Sequence, residues 1–401
     1  MRRVVITGAG TVNALAHDVP GTWAAMREGR SGIGPLDLPD ADRLGIRIGA
    51  QVRGWDAAAH LEPRQAAQAD RFAQFALVAA AQAVAQAGPV TGPDCGVVLG
   101  TAGGGLATSE ESYRAVFAEG KSRVHPLTVP KLMASAAASH VSMAQGITGP
   151  VFTVSTACAG SNHAIGLAFQ MVRSGMCRAV LAGGAEAMLT FGGVKAWEGL
   201  RVLSPTGCRP FSCDRDGMVQ GEGAAVFVLE DRASALARGA PVLAEIAGFG
   251  MTSDAADIVM PDPDGAARAM RAALADAGLS PEAVDHVNAH GTGTTANDRS
   301  ETEALRRVFG ARLAQVPVTA TKSLHGHLIG AAGAVELLGC LLALQKGLIP
   351  PTAGYLGPDP ACDVDLVTGS ARAAPVDLVL SNAFAFGGLN AVLALTRAKP
   401  D

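Results

Sequence analysis

Short apolar runs alternate along the chain with longer stretches whose apolar residues recur at helical spacing. A strand buried on both faces reads as a continuous apolar run, and a helix covering it shows one apolar stripe. The alternation therefore predicts an α/β fold. Strands are expected at 3–7, 97–100, 151–155, 179–182 and 225–229, then at 241–246, 285–288, 376–381 and 391–395. Helices are expected at 70–87, directly after Cys158, and at 265–278, 298–309 and 330–345. No proline-rich linker or low-complexity tract divides the chain. Two halves, 1–238 and 239–401, each open on a strand, which suggests an internal duplication.

Composition narrows this picture. Of the 401 residues 49 % are hydrophobic and 17 % charged, which excludes a disordered chain. Aromatics are only 4 % and glycines number 49, so small aliphatic side chains must build the core. Seven cysteines, an odd number thinly spread, exclude a disulfide scaffold and read as free thiols. A net charge of −4 leaves no nucleic-acid footprint. The N-terminal apolar stretch is broken at once by Thr7, Gly8 and Gly10, so it reads as a strand and glycine turn rather than a secretory core. The longest apolar helix, 329–344, carries Glu336 and falls short of the ~20 residues of a membrane span. A cytoplasmic protein without a membrane span is expected.

Three segments carry candidate chemistry. Gly8-Ala9-Gly10-Thr11-Val12-Asn13 follows a strand, but Asn13 stands where a dinucleotide fingerprint has its third glycine, and a structural turn is the better reading. Cys158 sits among small residues between a strand and a helix. A helix N-terminus lowers a thiol pKa and favours the thiolate; the alternative is a buried, inert cysteine. Cys208 and Cys213 lie in a polar loop, and no C-x-x-C pair suggests zinc. His290, in Asn288-Ala289-His290-Gly291-Thr292, ends one strand, and Lys322-Ser323-Leu324-His325-Gly326-His327 ends another. Such strand ends are where α/β folds place ligands. One cysteine and two histidines fit thioester chemistry: a thiolate attacks, and imidazole N–H groups polarise a carbonyl oxygen. Spacing alone leaves His325 and His327 as alternatives.

These motifs, with Gly330-Ala331-Ala332-Gly333 ahead of Glu336 and Ser381-Asn382-Ala383-Phe384-Ala385-Phe386-Gly387-Gly388, resemble the β-ketoacyl-acyl-carrier-protein synthases of the thiolase superfamily over essentially the whole chain. The resemblance implies a five-layered α-β-α-β-α thiolase-like fold of two duplicated halves, and a homodimer. It implies that Cys158 accepts the acyl chain, and that His290 and His327 promote malonyl decarboxylation and hold the enolate. His327 is preferred because it fills the Gly-His position. Lys322 would order the site. Phe386 would gate it, and the backbone N–H groups of Cys158 and Phe386 would form the oxyanion hole. Thr292 and Thr294 would hold the phosphopantetheine arm. Asn288 and Glu336 would support the site, in some relatives around a cation. Partners would be acyl- and malonyl-loaded acyl carrier protein. Decarboxylation drives the reaction, so no redox or metal cofactor is implied.

Departures suggest a specialised synthase. Ala385 and Leu389 replace a Gly and a Thr of the gating loop, and Trp197 replaces a Phe lining the acyl pocket. Ala66, Ala67 and Gln68 stand where relatives carry basic residues, leaving Arg64, Arg71 and Arg201 as carrier contacts. Trp197-Glu198-Gly199-Leu200-Arg201 and Ile258-Val259-Met260-Pro261 are similar to rhizobial nodulation-type ketosynthases, with polyene-forming type II enzymes as near neighbours. Two other readings compete. A non-catalytic partner subunit of the chain-length-factor kind usually lacks the cysteine. A thiolase would carry a second catalytic cysteine where Phe386 stands.

Overall fold

A computed structural model describes residues 2–398. Its central sheet has ten strands: β1 (Val4–Asn13), β2 (Cys95–Gly100), β3 (Val151–Val154), β4 (Ala179–Glu186), β5 (Gly223–Asp231), β6 (Ala244–Ser253), β7 (His286–Asn288), β8 (Val318–Thr319), β9 (Leu378–Ala385) and β10 (Leu389–Thr396). They run side by side in the order β8-β7-β9-β10-β6-β1-β5-β4-β2-β3. Counted within each half, the order is 3-2-4-5-1 twice, with the same mixture of parallel and antiparallel pairs. The two half-sheets join where β1 pairs β6, from Val4 opposite Ile246 to Ile6 opposite Ala244.

Seven helices place the layers: α1 (Arg71–Ala87), α2 (Ala136–Gln145), α3 (Gly160–Ser174), α4 (Phe191–Gly199), α5 (Pro263–Ala277), α6 (Thr295–Phe309) and α7 (Ala332–Lys346). α1 and α2 cover the outer face of the first half-sheet, and α5 and α6 that of the second. α3 and α7 lie between the half-sheets and share one core with both. The result is the five-layered α-β-α-β-α arrangement. The segment Ile329–Lys346 is apolar enough to be considered for a bilayer, yet 89 % of it is buried inside the protein.

Two expectations needed correction. Gly8-Ala9-Gly10 is not a turn, because β1 continues through it to Asn13. β6 likewise runs on to Ser253 instead of ending at 246. In both strands glycine permits a close helix approach rather than a stop. A Cβ on Gly8 or Gly10 would lie 2.0 Å from the carbonyl oxygens of Ala83 and Ala79 in α1. A Cβ on Gly248 or Gly250 would lie 2.3 and 2.2 Å from those of Ala273 and Ala269 in α5. The same glycine pair facing carbonyls four residues apart, once in each half, repeats the duplication at the level of side chains.

The end of β2 is equally tight. A Cβ on Gly100 would come within 2.4 Å of the Gly160 carbonyl carbon and the Ser161 nitrogen at the start of α3. Neither is a side chain that can swing away. Gly100→Ala is therefore expected to destabilise the protein by about 1–3 kcal/mol, as overpacking does, and to displace the turn bearing Cys158. Denaturant unfolding checks this, and an unchanged midpoint would contradict it.

Candidate active site

Cys158 lies on a single 3-10 turn, Ala157–Ala159, between β3 and α3. Ala157 has a left-handed φ of 45°, a costly conformation for a residue with a Cβ. This sharp turn sets the thiol at the N-terminal end of α3, as expected. The expected lowering of its pKa does not prevail. Burial pushes the Cys158 thiol up to about 11, against the Lys322 charge and the backbone N–H groups of Phe386 and Cys158 at the sulfur; Glu186 adds to the rise. Loss of hydration outweighs the helix end once water is excluded. Below that value the thiolate fraction grows about tenfold per pH unit. Iodoacetamide labelling of Cys158 should accelerate accordingly from pH 7 to 10; a plateau already at pH 7 would show a thiolate at rest.

His290 follows β7, and His327 follows the helical turn Lys322–His325. The sulfur of Cys158 and one ring nitrogen of each of these histidines lie within 4.8 Å of one another, all buried. The two rings meet edge to face, 5.4 Å between centroids. Burial, then the Lys322 charge, holds both imidazoles well below their ordinary pKa, so they are neutral at pH 7. Their tautomers follow from their partners. His327 Nδ1 accepts the Ile329 N–H at 3.1 Å, so its proton sits on Nε2, which has no partner among the described residues. His290 Nδ1 faces the Lys322 ammonium at 3.2 Å, which again leaves the proton on Nε2. A metal would need those nitrogens bare. The cluster presents N–H donors instead, which suits an oxyanion.

The structure brings His327, not His325, to Cys158. His325 spends Nδ1 on the Gly326 carbonyl at 2.8 Å and Nε2 on the Thr321 hydroxyl at 3.1 Å. Lys322, fully buried, also donates to the His290 carbonyl at 2.5 Å and to Glu336 Oε1. Asn288 accepts from the Thr321 hydroxyl behind this pair at 3.4 Å. Glu336 Oε2 is buried with no hydrogen-bond partner among the described residues.

Cys158, His290, His327, Thr292, Thr294, Trp197 and Phe386 line one cleft. The Thr292 and Thr294 hydroxyls are 2.9 Å apart, and Thr294 also caps α6 by accepting from Asn297 N–H. Trp197, on α4, stacks on Phe386 with centroids 5.9 Å apart and planes at 23°. Phe386 stands on the tight β9–β10 turn, where Gly387 and Gly388 supply left-handed φ values of 81° and 68°. Arg64 and Arg201 are exposed. Arg71 is not a free cation: its guanidinium forks onto buried Glu222 at 2.6 and 2.9 Å and covers the Phe75 ring.

Sequence reasoning overlooked three buried acids. Glu301 on α6 accepts the backbone N–H groups of His290 and Gly291, both at 2.8 Å, and the Asn382 amide at 3.2 Å. Asp298, one turn earlier, accepts from Phe211 and Gly293 N–H. Glu186 ends β4 beside Cys158. Burial pushes Glu186 and Glu301 up to about 7. Their signal was present: acids in the first turns of the helix after His290, and an acid closing an all-apolar strand.

The β-ketoacyl synthase N-terminal domain family matches residues 1–235, and the C-terminal domain family matches 243–356. Nodulation protein E of Rhizobium sp. (strain N33) is 48 % identical over 397 residues, covering 98 % of each chain. The 3-oxoacyl-[acyl-carrier-protein] synthase 2 of Synechocystis is 40 % identical over 408 residues, covering 99 % of this chain and 98 % of that one. The solved structure of the ishigamide ketosynthase/chain length factor superposes with a TM-score of 0.95 at 35 % identity, covering 99 % of this chain and 100 % of that one. Shared domains, length and fold lead to one conclusion: the chain belongs to the β-ketoacyl synthase family, and it is an acyl-transferring condensing enzyme.

Proposed function

We propose that the enzyme extends a carrier-bound acyl chain by two carbons, with Cys158 as nucleophile and His290 and His327 as the enolate site. The observation that carries this is the buried set of one thiol and two imidazoles, one ring nitrogen of each within 4.8 Å of the sulfur and of each other, with both Nδ1 atoms already engaged. The Cys158 sulfur attacks the acyl thioester carbonyl. The backbone N–H groups of Cys158 and Phe386 receive the developing oxyanion, and the carrier thiol leaves with the proton. Malonyl carrier protein then places its thioester oxygen between the two imidazoles. The C–C bond to the carboxylate breaks, carbon dioxide leaves, and its electron pair forms the enolate. The enolate carbon attacks the acyl-enzyme carbonyl, the C–S bond breaks, and Cys158 leaves as a thiolate that takes up a proton from water. Two fixed N–H donors stabilise the enolate without reorganising as charge develops.

In this reading Lys322 sets the His290 tautomer, Glu336 and Asn288 hold Lys322 and its neighbours, and Thr292 and Thr294 bind the pantetheine arm. Trp197 and Phe386 form a ring pair closing the acyl pocket. The halves divide as 1–238 and 239–401, the protein is a cytoplasmic homodimer, and its partner is an acyl carrier protein. Arg64 and Arg201 are the carrier contacts; Arg71, neutralised by Glu222, is a structural residue. Greater identity to the nodulation protein than to the Synechocystis synthase, 48 % against 40 %, supports a specialised acyl chain rather than the housekeeping one. The intact nucleophile argues against a non-catalytic partner subunit. The test supplies acyl and malonyl carrier proteins together. A β-ketoacyl carrier two carbons longer, released with carbon dioxide, is the expected product; carbon dioxide release with no longer chain would refute elongation.

A further inference from the structure

Glu186 is fully buried, and neutral donors from two separate loops converge on its carboxylate. Oε1 accepts the Thr101 hydroxyl at 3.0 Å and Gly103 N–H at 3.1 Å; Oε2 accepts Ala102 N–H at 2.7 Å and Gly330 N–H at 3.1 Å. The first loop leaves β2 beside the nucleophile. The second is the turn Ile329–Ala331 between His327 and α7. Ile329, β-branched, is held there at φ 44°. That conformation is a genuine outlier for such a residue and persists only when its surroundings enforce it. The loops are also pressed together: a Cβ on Gly330 would lie 2.5 Å from Ala102 N.

The neighbouring N–H in that turn, from Ile329, is the one that fixes the His327 tautomer. We infer that Glu186 is a positioning residue for His327: by anchoring Gly330 it holds the strained Ile329 turn in place, and so keeps the His327 proton on Nε2, facing the substrate. In its ionised form, which prevails above about pH 7, the carboxylate suits this task because both its oxygens only accept. A glutamine keeps the size but presents an NH2 group to one of the two pairs, losing Gly103 N–H in one orientation and Ala102 and Gly330 N–H in the other; Glu186→Ala removes all four anchors and is the paired variant. The catalytic consequence rests on the function proposed above, but the tautomer does not, so the two can fail separately.

The test is Glu186→Gln in the full-length protein, with 15N-labelled histidine and His327→Gln to assign the resonance. In the wild type the His327 Nε2 resonance should be of the protonated type and Nδ1 of the bare type. In E186Q this asymmetry should be lost at His327 and kept at His325, whose partners do not involve Glu186. Decarboxylation of malonyl carrier should fall about 20-fold or more at saturation, since small misplacements cost this much, with KM nearly unchanged. Labelling of Cys158 by iodoacetamide should be no slower, because a negative charge near the sulfur is removed. If E186Q does not fold, Glu186→Asp, which withdraws the carboxylate by one methylene, serves as the same test. An unchanged His327 tautomer in the folded variant would overturn the inference. So would equal losses of Cys158 labelling and decarboxylation, which would mark a general structural role.

Discussion

Glu336→Ala should lower the unfolding free energy by about 3–5 kcal/mol, the cost of breaking a buried ion pair by removing one partner. Glu336 lies in the middle of apolar α7, and both it and Lys322 are fully buried. Without Glu336 the Lys322 ammonium keeps only the carbonyl and ring nitrogen of His290. A charge of that size in an apolar interior is costly unless paired. The double variant Lys322→Met, Glu336→Leu should recover much of the stability, because burying the pair is itself expensive. It should not recover decarboxylation, because the group that fixes the His290 tautomer is gone. Denaturant unfolding of the two variants checks the first part, and malonyl carrier turnover the second. Equal stabilities of Glu336→Ala and wild type would mean that the pair contributes nothing.

His327→Ala should slow malonyl decarboxylation by about 10²–10³, or about 2.7–4 kcal/mol, the usual loss for one preorganised donor at an oxyanion. Acyl transfer to Cys158 should persist, because in the proposed reaction the donors to the oxyanion of that step are backbone N–H groups. His325→Ala is the informative comparison. Its ring is equally buried and lies in the same six-residue motif, yet it serves only Gly326 and Thr321. It should lose stability without a comparable loss of decarboxylation. A reversed pattern would assign the donor to His325. Separate assays of acyl-enzyme formation and carbon dioxide release resolve the two steps.

Much of this was legible in the sequence, for identifiable reasons. Continuous apolar runs marked β2, β4 and β5, and the motif around Cys158 placed that thiol on a strand-to-helix turn. The glycines of β1 and β6 misled, because their purpose is contact with α1 and α5, and no local pattern records a distant helix. The Cys158 pKa was misjudged for a similar reason. A helix end is visible in the sequence, whereas the loss of water is a property of the folded cleft. The tautomers of His290 and His327 depend on Lys322 and on the Ile329 N–H, and thus on backbone geometry. Arg71 looked like a free docking cation because its partner, Glu222, lies far along the chain. Glu186 and Glu301 were overlooked because most of their partners are backbone N–H groups, which every sequence has.

The most direct test is peptide mapping by mass spectrometry after incubation with an acyl carrier protein and no malonyl carrier. The account predicts one acyl group per chain, on Cys158, and none on Cys158→Ala. An acyl group found elsewhere, or no transfer from any chain length by folded wild-type protein, would contradict it.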